Sequence, residues 1–508
     1  MRRPLLLTLA AALTALGVGG TTVGAASSAE LSAPAIPAVS GLPIPSLPTD
    51  LLVPKFIGSA ATTRPLDHPA IPQNPWLAPD GSNSMHNDAY ASDAYAVSGP
   101  LGKNLKVKSA SYGIRECATM AFDSRERIIG LCGGLEGFTL MVIDPVTLKP
   151  ISELRTSARN LLAGANPFTD ICGGTYFFLD AHDTAYPTTG AKTVQQIQVK
   201  PDGKLVKQHE WSLAEHLPAD DCLIATMPDW DGRIWFFTQQ GIAGTLDRDS
   251  GTVQTMHLPA GEQVTNSVAT DETGGMYVVS THALYRLDAT AAGLPQVTWR
   301  ETYDRGTRLK PGNLSQGSGT TPTLLGKRWV AINDNADPQT NILVYDRRKG
   351  VEDRLHCTQP VLADNAGTTD NSLVAAGNSF IIENNYGYGG PTSTVLGQTT
   401  TPGIARVMVT KDGCRVAWTN DSIAPSSVAK ASLGNGLLYA YTKPKLATAN
   451  EVDAWYFTAI DIRTGRTVWN RLTGTGIQWN NHYAAIYLSP DGAAYIATLA
   501  GLVRITDG

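Results

Sequence analysis

Carboxylates, amides and imidazoles gather in this chain in short clusters, each just ahead of an apolar run. The fullest are Glu116-Cys117, Thr169-Asp170, Asp220-Asp221-Cys222, Thr265-Asn266-Ser267, Asp370-Asn371-Ser372 and Asn480-Asn481-His482. Gly319-Thr320-Thr321 and Ser426-Ser427 complete the series. A second set follows the next apolar run: Asp180-Ala181-His182-Asp183, Thr281-His282, Asn333 to Asp337 and Glu383 to Tyr386. These residue types support three chemistries. Asp170, Asp221 and Asp370, with Asp334 and Glu383, supply hard oxygen ligands for Ca²⁺, and Asn266, Asn371 or Asn481 add amide carbonyls. His182 or His482 beside a carboxylate makes an acid–base pair, because imidazole titrates near neutrality. Amides and carboxylates near Tyr386, Tyr388 and Trp479 suit a sugar or polyol. The competing reading is plain turn chemistry, since Asx and Thr side chains cap turns ahead of strands whatever the function.

The elements that carry these clusters repeat. A cluster precedes a short strand, a second strand follows, and a hairpin closes the unit. Second strands are expected at Arg127–Leu131, Thr175–Leu179, Arg233–Thr238, Gly275–Ser280, Trp329–Asn333, Ser379–Glu383, Gly436–Tyr441 and Ala493–Thr498. Hairpin turns at Asp144–Thr147, Pro201–Gly203, Asp247–Gly251, Asp346–Gly350 and Asp461–Gly465 place Asp where its side chain bonds the turn backbone. The last unit stops one strand short, and Leu105–Tyr112 is a strand without a partner. A ring closed by that N-terminal strand explains both facts. The expected fold is all-β: a single β-propeller of eight four-stranded blades, with seven as the alternative. In such a ring the loops before the first strand and after the second share one face. The clusters would therefore converge on one mouth of a central channel.

The stretch Ala459-Ile-Asp-Ile-Arg-Thr-Gly-Arg-Thr-Val-Trp469 resembles the tryptophan-docking repeat of quinoprotein-type, PQQ-like propellers. Asp247-Arg-Asp-Ser-Gly-Thr-Val253 is a partial copy without the Trp. The resemblance implies the propeller fold over about Leu105 to Gly508, with Trp469 packed between neighbouring blades. It also brings PQQ into view as a cofactor. The quinoprotein dehydrogenases carry a disulfide of adjacent cysteines beside that cofactor, and this chain has no adjacent cysteines, which counts against PQQ.

The rest of the chain sets bounds. A formal net charge of -5 and the lack of any basic cluster give no case for nucleic acid. Residues 1–29 read as a secretory signal, with Arg2 and Arg3 ahead of the apolar run Leu5–Val18, which is short for a membrane span. Residues 30–73 form a Pro-rich linker or arm, 74–103 an irregular strap, and 104–508 the propeller. The 6 cysteines match no zinc pattern and favour disulfides in an exported protein. The blade register pairs Cys117 with Cys132, Cys172 with Cys222, and Cys357 with Cys414. The expectation is thus a secreted monomer that binds a small polar ligand at one mouth, possible Ca²⁺ included. A hydrolase or lyase, a PQQ-dependent dehydrogenase and a protein-interaction scaffold are the alternatives, and whether the chain is an enzyme stays open.

Overall fold

Short strands follow one another through tight turns from Arg115 to the C-terminus, and eight separate sheets result. The computed structural model describes residues 41–159, 166, 168, 170–173, 175–446 and 449–508, within one unit, Val39–Gly508. The signal-like segment at 1–29 and the start of the arm lie outside the described residues. The protein is an eight-bladed β-propeller. Blade 1 comprises Arg115–Phe122, Ile128–Gly134, Gly137–Ile143 and Pro150–Ala158, innermost strand first. Blades 3 to 7 follow the same plan, with innermost strands at Leu223–Pro228, Ala269–Thr270, Thr323–Leu325, Val374–Ala375 and Lys430–Ser432.

Ring closure follows the expected register. In blade 8, Lys106–Ser111 is the outer strand on Gly501–Thr506, with Val107 opposite Ile505 and Ser109 opposite Val503. The strands between the edges are apolar on both faces because every blade is sandwiched between two others. Ile234–Thr238 and Leu437–Thr442, for example, are buried throughout. Trp469 shares a buried cluster with Tyr439 and Phe457 of blade 7 and with Ile496 and Val503 of blade 8, so it packs between blades. All three disulfides join the cysteines paired by the register: Cys117–Cys132 within blade 1, Cys172–Cys222, and Cys357–Cys414 between the outer strands of blades 5 and 6.

One expected strand is misplaced. Phe178 and Leu179 occupy the innermost position of blade 2, not the second, and Leu179 bridges Ala185. The segment before it is long, and regular pairing at this position shrinks to isolated bridges. The strand spacing that identifies the other blades therefore skips one strand here.

The N-terminal segments are built into the ring. Phe56–Gly58 pairs with Trp469–Arg471 as a fifth strand on blade 7. Residues 74–95 cross the inside of the ring at the ends of the innermost strands. Backbone N–H groups of Phe122, Leu179, Thr270, Leu324, Ala375 and Ala431 donate in turn to carbonyls of Ser82, Asn83, Ala89, Tyr90, Ser92 and Asp93. Each donor belongs to a different blade. Asp88 shapes the strap, because its Oδ1 accepts from the N–H of Tyr90 at 2.9 Å and of Ser92 at 3.1 Å. Among the described residues no helix is long and apolar enough to cross a membrane.

Candidate functional site

Because the strap fills the channel at the strand ends, the opposite mouth is a blind cavity with the strap as its floor. About 140 Å³ of it can be reached by the centre of a water-sized sphere. Met85 and His86 of the strap form the floor, and blades 1, 2, 4, 5, 6, 7 and 8 supply the walls. Much of the wall is apolar, including Ile114, Leu135, Phe138, Leu314 and Tyr483.

Asp170, Asn266, Asp370, Asn371 and His482 line this cavity together, although they come from widely separated parts of the chain. Asp170 pairs with Arg159 at 3.0 Å. Asp370 faces the cavity, and burial pushes its carboxyl up to about 7. Asn371 donates to Glu383 Oε2 at 3.2 Å and to the Ser427 carbonyl at 2.6 Å, leaving its own buried Oδ1 without a partner. Glu383 stands behind Asn371, and burial raises its carboxyl to about 8. His482 is held between the Tyr388 hydroxyl at 2.9 Å and the Phe168 carbonyl at 2.8 Å. Burial lowers its imidazole to about 4, so it is neutral at ordinary pH.

The other expected site residues lie elsewhere. Asp221 caps a turn, accepting from Cys222 and Gln240 N–H groups at 2.8 and 3.0 Å. Asp334 closes its own loop through the Asn341 N–H at 2.7 Å, and burial lifts its carboxyl to about 6. Asn481 donates to the Ala497 carbonyl at 2.7 Å and is buried. Asp180 and His182 sit on the opposite face, in the turn after the innermost strand of blade 2. That turn bonds Ser124 of the corresponding blade 1 turn through Asp183. This placement follows from the misread strand. Among the described residues no three or more His, Cys, Asp or Glu side chains gather as a metal-holding group, and Asp170, Asp221 and Asp370 do not form one.

Of the residues most closely linked at the floor, Glu116, Thr321 and Ser372 stand in the polar clusters and His86 and Asp93 in the strap, yet none is among the expected site residues, and Lys430 was passed over altogether. His86 Nδ1 lies 3.1 Å from Asp93 Oδ1, and His86 Nε2 lies 3.1 Å from Thr321 Oγ1. Ser372 donates to Asp93 Oδ2, and Lys430 donates to Asp93 Oδ1. Burial penalises the charge on Asp93, but Lys430 and His86 outweigh it and hold the carboxyl below its ordinary range. Glu116 also lines the cavity. Its Oε1 accepts from the His482 N–H at 2.8 Å, and burial drives its carboxyl well up. One signal was present in the sequence: Lys430 is a lone charge within the small and apolar run Val428-Ala429-Lys430-Ala431. A lone charge in an inner strand requires a buried partner.

The cavity does not fit PQQ. Glu116, Asp170 and Asp370 are acidic, and among the described residues the one guanidinium on the wall, Arg159, is already paired with Asp170. A multiply anionic quinone would meet carboxyls rather than cations.

Against known proteins, no family model matches the chain. An uncharacterized protein of Archaeoglobus fulgidus is 27% identical over 311 residues, 54% of this chain and 59% of that protein. The chain thus spans under two thirds of that relative's length. Among solved structures, a virginiamycin B lyase from Staphylococcus aureus has a TM-score of 0.40 at 10% identity, over 79% of this chain and 99% of the lyase. The dihydro-heme d1 dehydrogenase NirN has a TM-score of 0.44 at 11% identity, over 71% of this chain and 66% of that one. Both likenesses concern the fold alone.

Proposed function

We propose that this propeller is an exported protein that binds a small molecule in the blind mouth of its channel. The observation that carries the reading is the wall itself: apolar side chains interrupted by a few buried polar groups that converge on one space. The buried acids change what kind of ligand fits. Asp370 and Glu116 resist ionising, so they offer hydroxyl donors as well as acceptors. The wall therefore suits a ligand with an apolar or aromatic body and a few hydroxyl, amide or carbonyl groups. A fully polar sugar would leave much of the wall uncovered.

Export is supported by the signal-like N-terminus and by the three disulfides, which persist in oxidising compartments. Thermal-shift screening of amphipathic small molecules, sugars and calcium against wild type and Leu314→Glu tests the binding reading. Amphipathic compounds are expected to raise the melting temperature of wild type and to lose that effect in the variant, where a charge enters the wall. Sugars or calcium acting alone, equally on both proteins, would defeat it. Sequencing the N-terminus of the protein recovered from culture medium tests export, with a start near residue 26 or 30 expected.

A further inference from the structure

We infer that the floor of this cavity is an acyl-transfer site, in which Thr321 is the nucleophile, His86 its base and Asp93 the group that orients the base. The inference rests on the cavity being a small-molecule site, and it adds a reaction and a substrate class. A hydroxyl within hydrogen-bond reach of a base, itself oriented by a third group, is the arrangement that activates an alcohol. Three observations place these residues in that order. The two imidazole nitrogens have separate partners: Asp93 at 3.1 Å and the Ser372 hydroxyl at 3.2 Å beside Nδ1, and Thr321 at 3.1 Å from Nε2. Asp93 is an anion, so Nδ1 carries the proton and Nε2 offers its lone pair to the Thr321 hydroxyl. Thr321 and His86 both face the cavity.

Ser372 Oγ also lies within reach of the imidazole, but at Nδ1, the nitrogen that faces Asp93, and its own hydroxyl donates to Asp93 and thereby fixes the carboxylate. Lys430, fully buried beneath it, donates to Asp93 and to the Met85 carbonyl, which ties the charge to the strap. The Tyr176 ring lies beside the imidazole, with ring centroids 6.5 Å apart. Asn266 stands on the neighbouring blade's approach loop and faces the same cavity. Among the described residues its amide nitrogen has two long contacts, both 3.4 Å, to Thr265 and Ser318, so it is a donor with capacity left for a developing oxyanion.

The substrate class is a carboxylic ester with an apolar acyl or alcohol group, which the wall would cover. Thr321 Oγ1 bonds to the acyl carbon as its proton passes to His86 Nε2. The ester C–O bond breaks, and the departing alcohol oxygen takes that proton. Water then attacks the acyl-threonine carbon and gives a proton to His86. Thr321 leaves with that proton restored, and a carboxylic acid is released. Nothing is oxidised or reduced.

The test uses the full secreted chain with 4-nitrophenyl esters of acetate, butyrate and octanoate, and the matching alkyl 4-nitrophenyl ethers as uncleavable probes of binding. Wild type is expected to cleave an ester and, after a rapid quench, to carry the acyl mass on the peptide containing Thr321. Thr321→Val keeps the side-chain shape and is expected to lose both signals while still binding the ether by thermal shift. His86→Gln is expected to slow cleavage by about a hundredfold or more, the usual worth of a positioned base. Ether binding without ester cleavage overturns the acyl-transfer inference and leaves the binding site standing. Failure of both ether binding and cleavage overturns the two together. Cleavage that survives Thr321→Val, or an acyl group found on another residue, also overturns the inference.

Discussion

Glu383 shows what a propeller channel does to a single carboxyl. It ends the second strand of blade 6, where Asn371 donates to one oxygen and the other has no partner. Removing water from the carboxylate costs more than one amide bond returns, so its carboxyl rises from the ordinary range to about 8. The consequence for stability has a definite sign. Between about pH 4.5 and 8 the folded protein holds a proton that the unfolded chain has released, so this residue makes stability fall as pH rises through that window. Glu383→Gln removes the titration and keeps an oxygen for Asn371. Denaturant unfolding of both proteins from pH 4.5 to about 10 is expected to show the variant gaining on wild type steadily, with the gap levelling off above pH 8. His68 and His482, both lowered to about 4, push the other way below about pH 6.5 and are common to both proteins, so the difference between them isolates residue 383. A constant gap across the range would refute the neutral-acid assignment.

The strap is the element on which the site depends. Its backbone bonds six blades, and its charged side chains complete the attachment. Asp93 and Lys430 have no exposed side-chain surface, so neither charge is tolerable without the other. Lys430→Met is therefore expected to destabilise the protein by about 3–5 kcal/mol, the usual cost of leaving one buried charge unpaired. Adding Asp93→Asn removes the stranded charge and leaves an oxygen for His86 and Ser372. The double variant is expected to recover most of the loss in denaturant unfolding at pH 7. If the double variant is as unstable as the single one, the strap is not held by this pair. The outer elements were legible in the sequence because Asp-Thr-Gly turns and alternating strands are local signals, as at Asp461–Trp469. The route of the strap was not. Asp88 shapes the strap through local bonds to Tyr90 and Ser92, but Asp93 pairs with Lys430, more than 300 residues away, and no periodicity encodes that pairing. Blade 2 failed for a related reason: two residues with an isolated bridge carry too little pattern to be separated from the strand that follows. Convergence of Asp170, Asn266, Asp370, Asn371 and His482 was legible only because ring geometry supplies it once the blades are counted. Asp221, Asp334 and Asn481 show its limit, since Asp221 and Asp334 accept from nearby turn and loop backbone and Asn481 donates to the Ala497 carbonyl of another strand.

At the scale of the whole molecule, the ring stands or falls with one seam. Blade 8 takes its outer strand from Lys106–Ser111, and the two ends of the chain meet there along six paired residues. The seam is reinforced beyond the sheet. Asp507 accepts backbone N–H groups of Leu101, Gly102 and Lys103 at 2.8, 2.9 and 2.7 Å, a carboxylate clamp across more than 400 residues of sequence. Leu502, Val503 and Ile505 are fully buried against neighbouring strands, so losing them exposes the faces of blades 7 and 1 as well as blade 8. Two changes separate the clamp from the strand. Asp507→Ala removes charge-assisted hydrogen bonds but leaves the sheet intact, and is expected to cost about 1.5–3 kcal/mol in denaturant unfolding. Deleting residues 499–508 removes the third strand of blade 8, leaves Lys106–Ser111 with no partner and uncovers the apolar seam. That truncation is expected to melt far below the point variant and to be cut by protease within blade 1 or blade 8 before the other blades yield. The disulfides sharpen the outcome, because none of them crosses the seam between blade 8 and blade 1. Closure here is purely noncovalent, so a truncated protein that melts with the full chain would mean that the remaining blades hold their curvature without a closed ring.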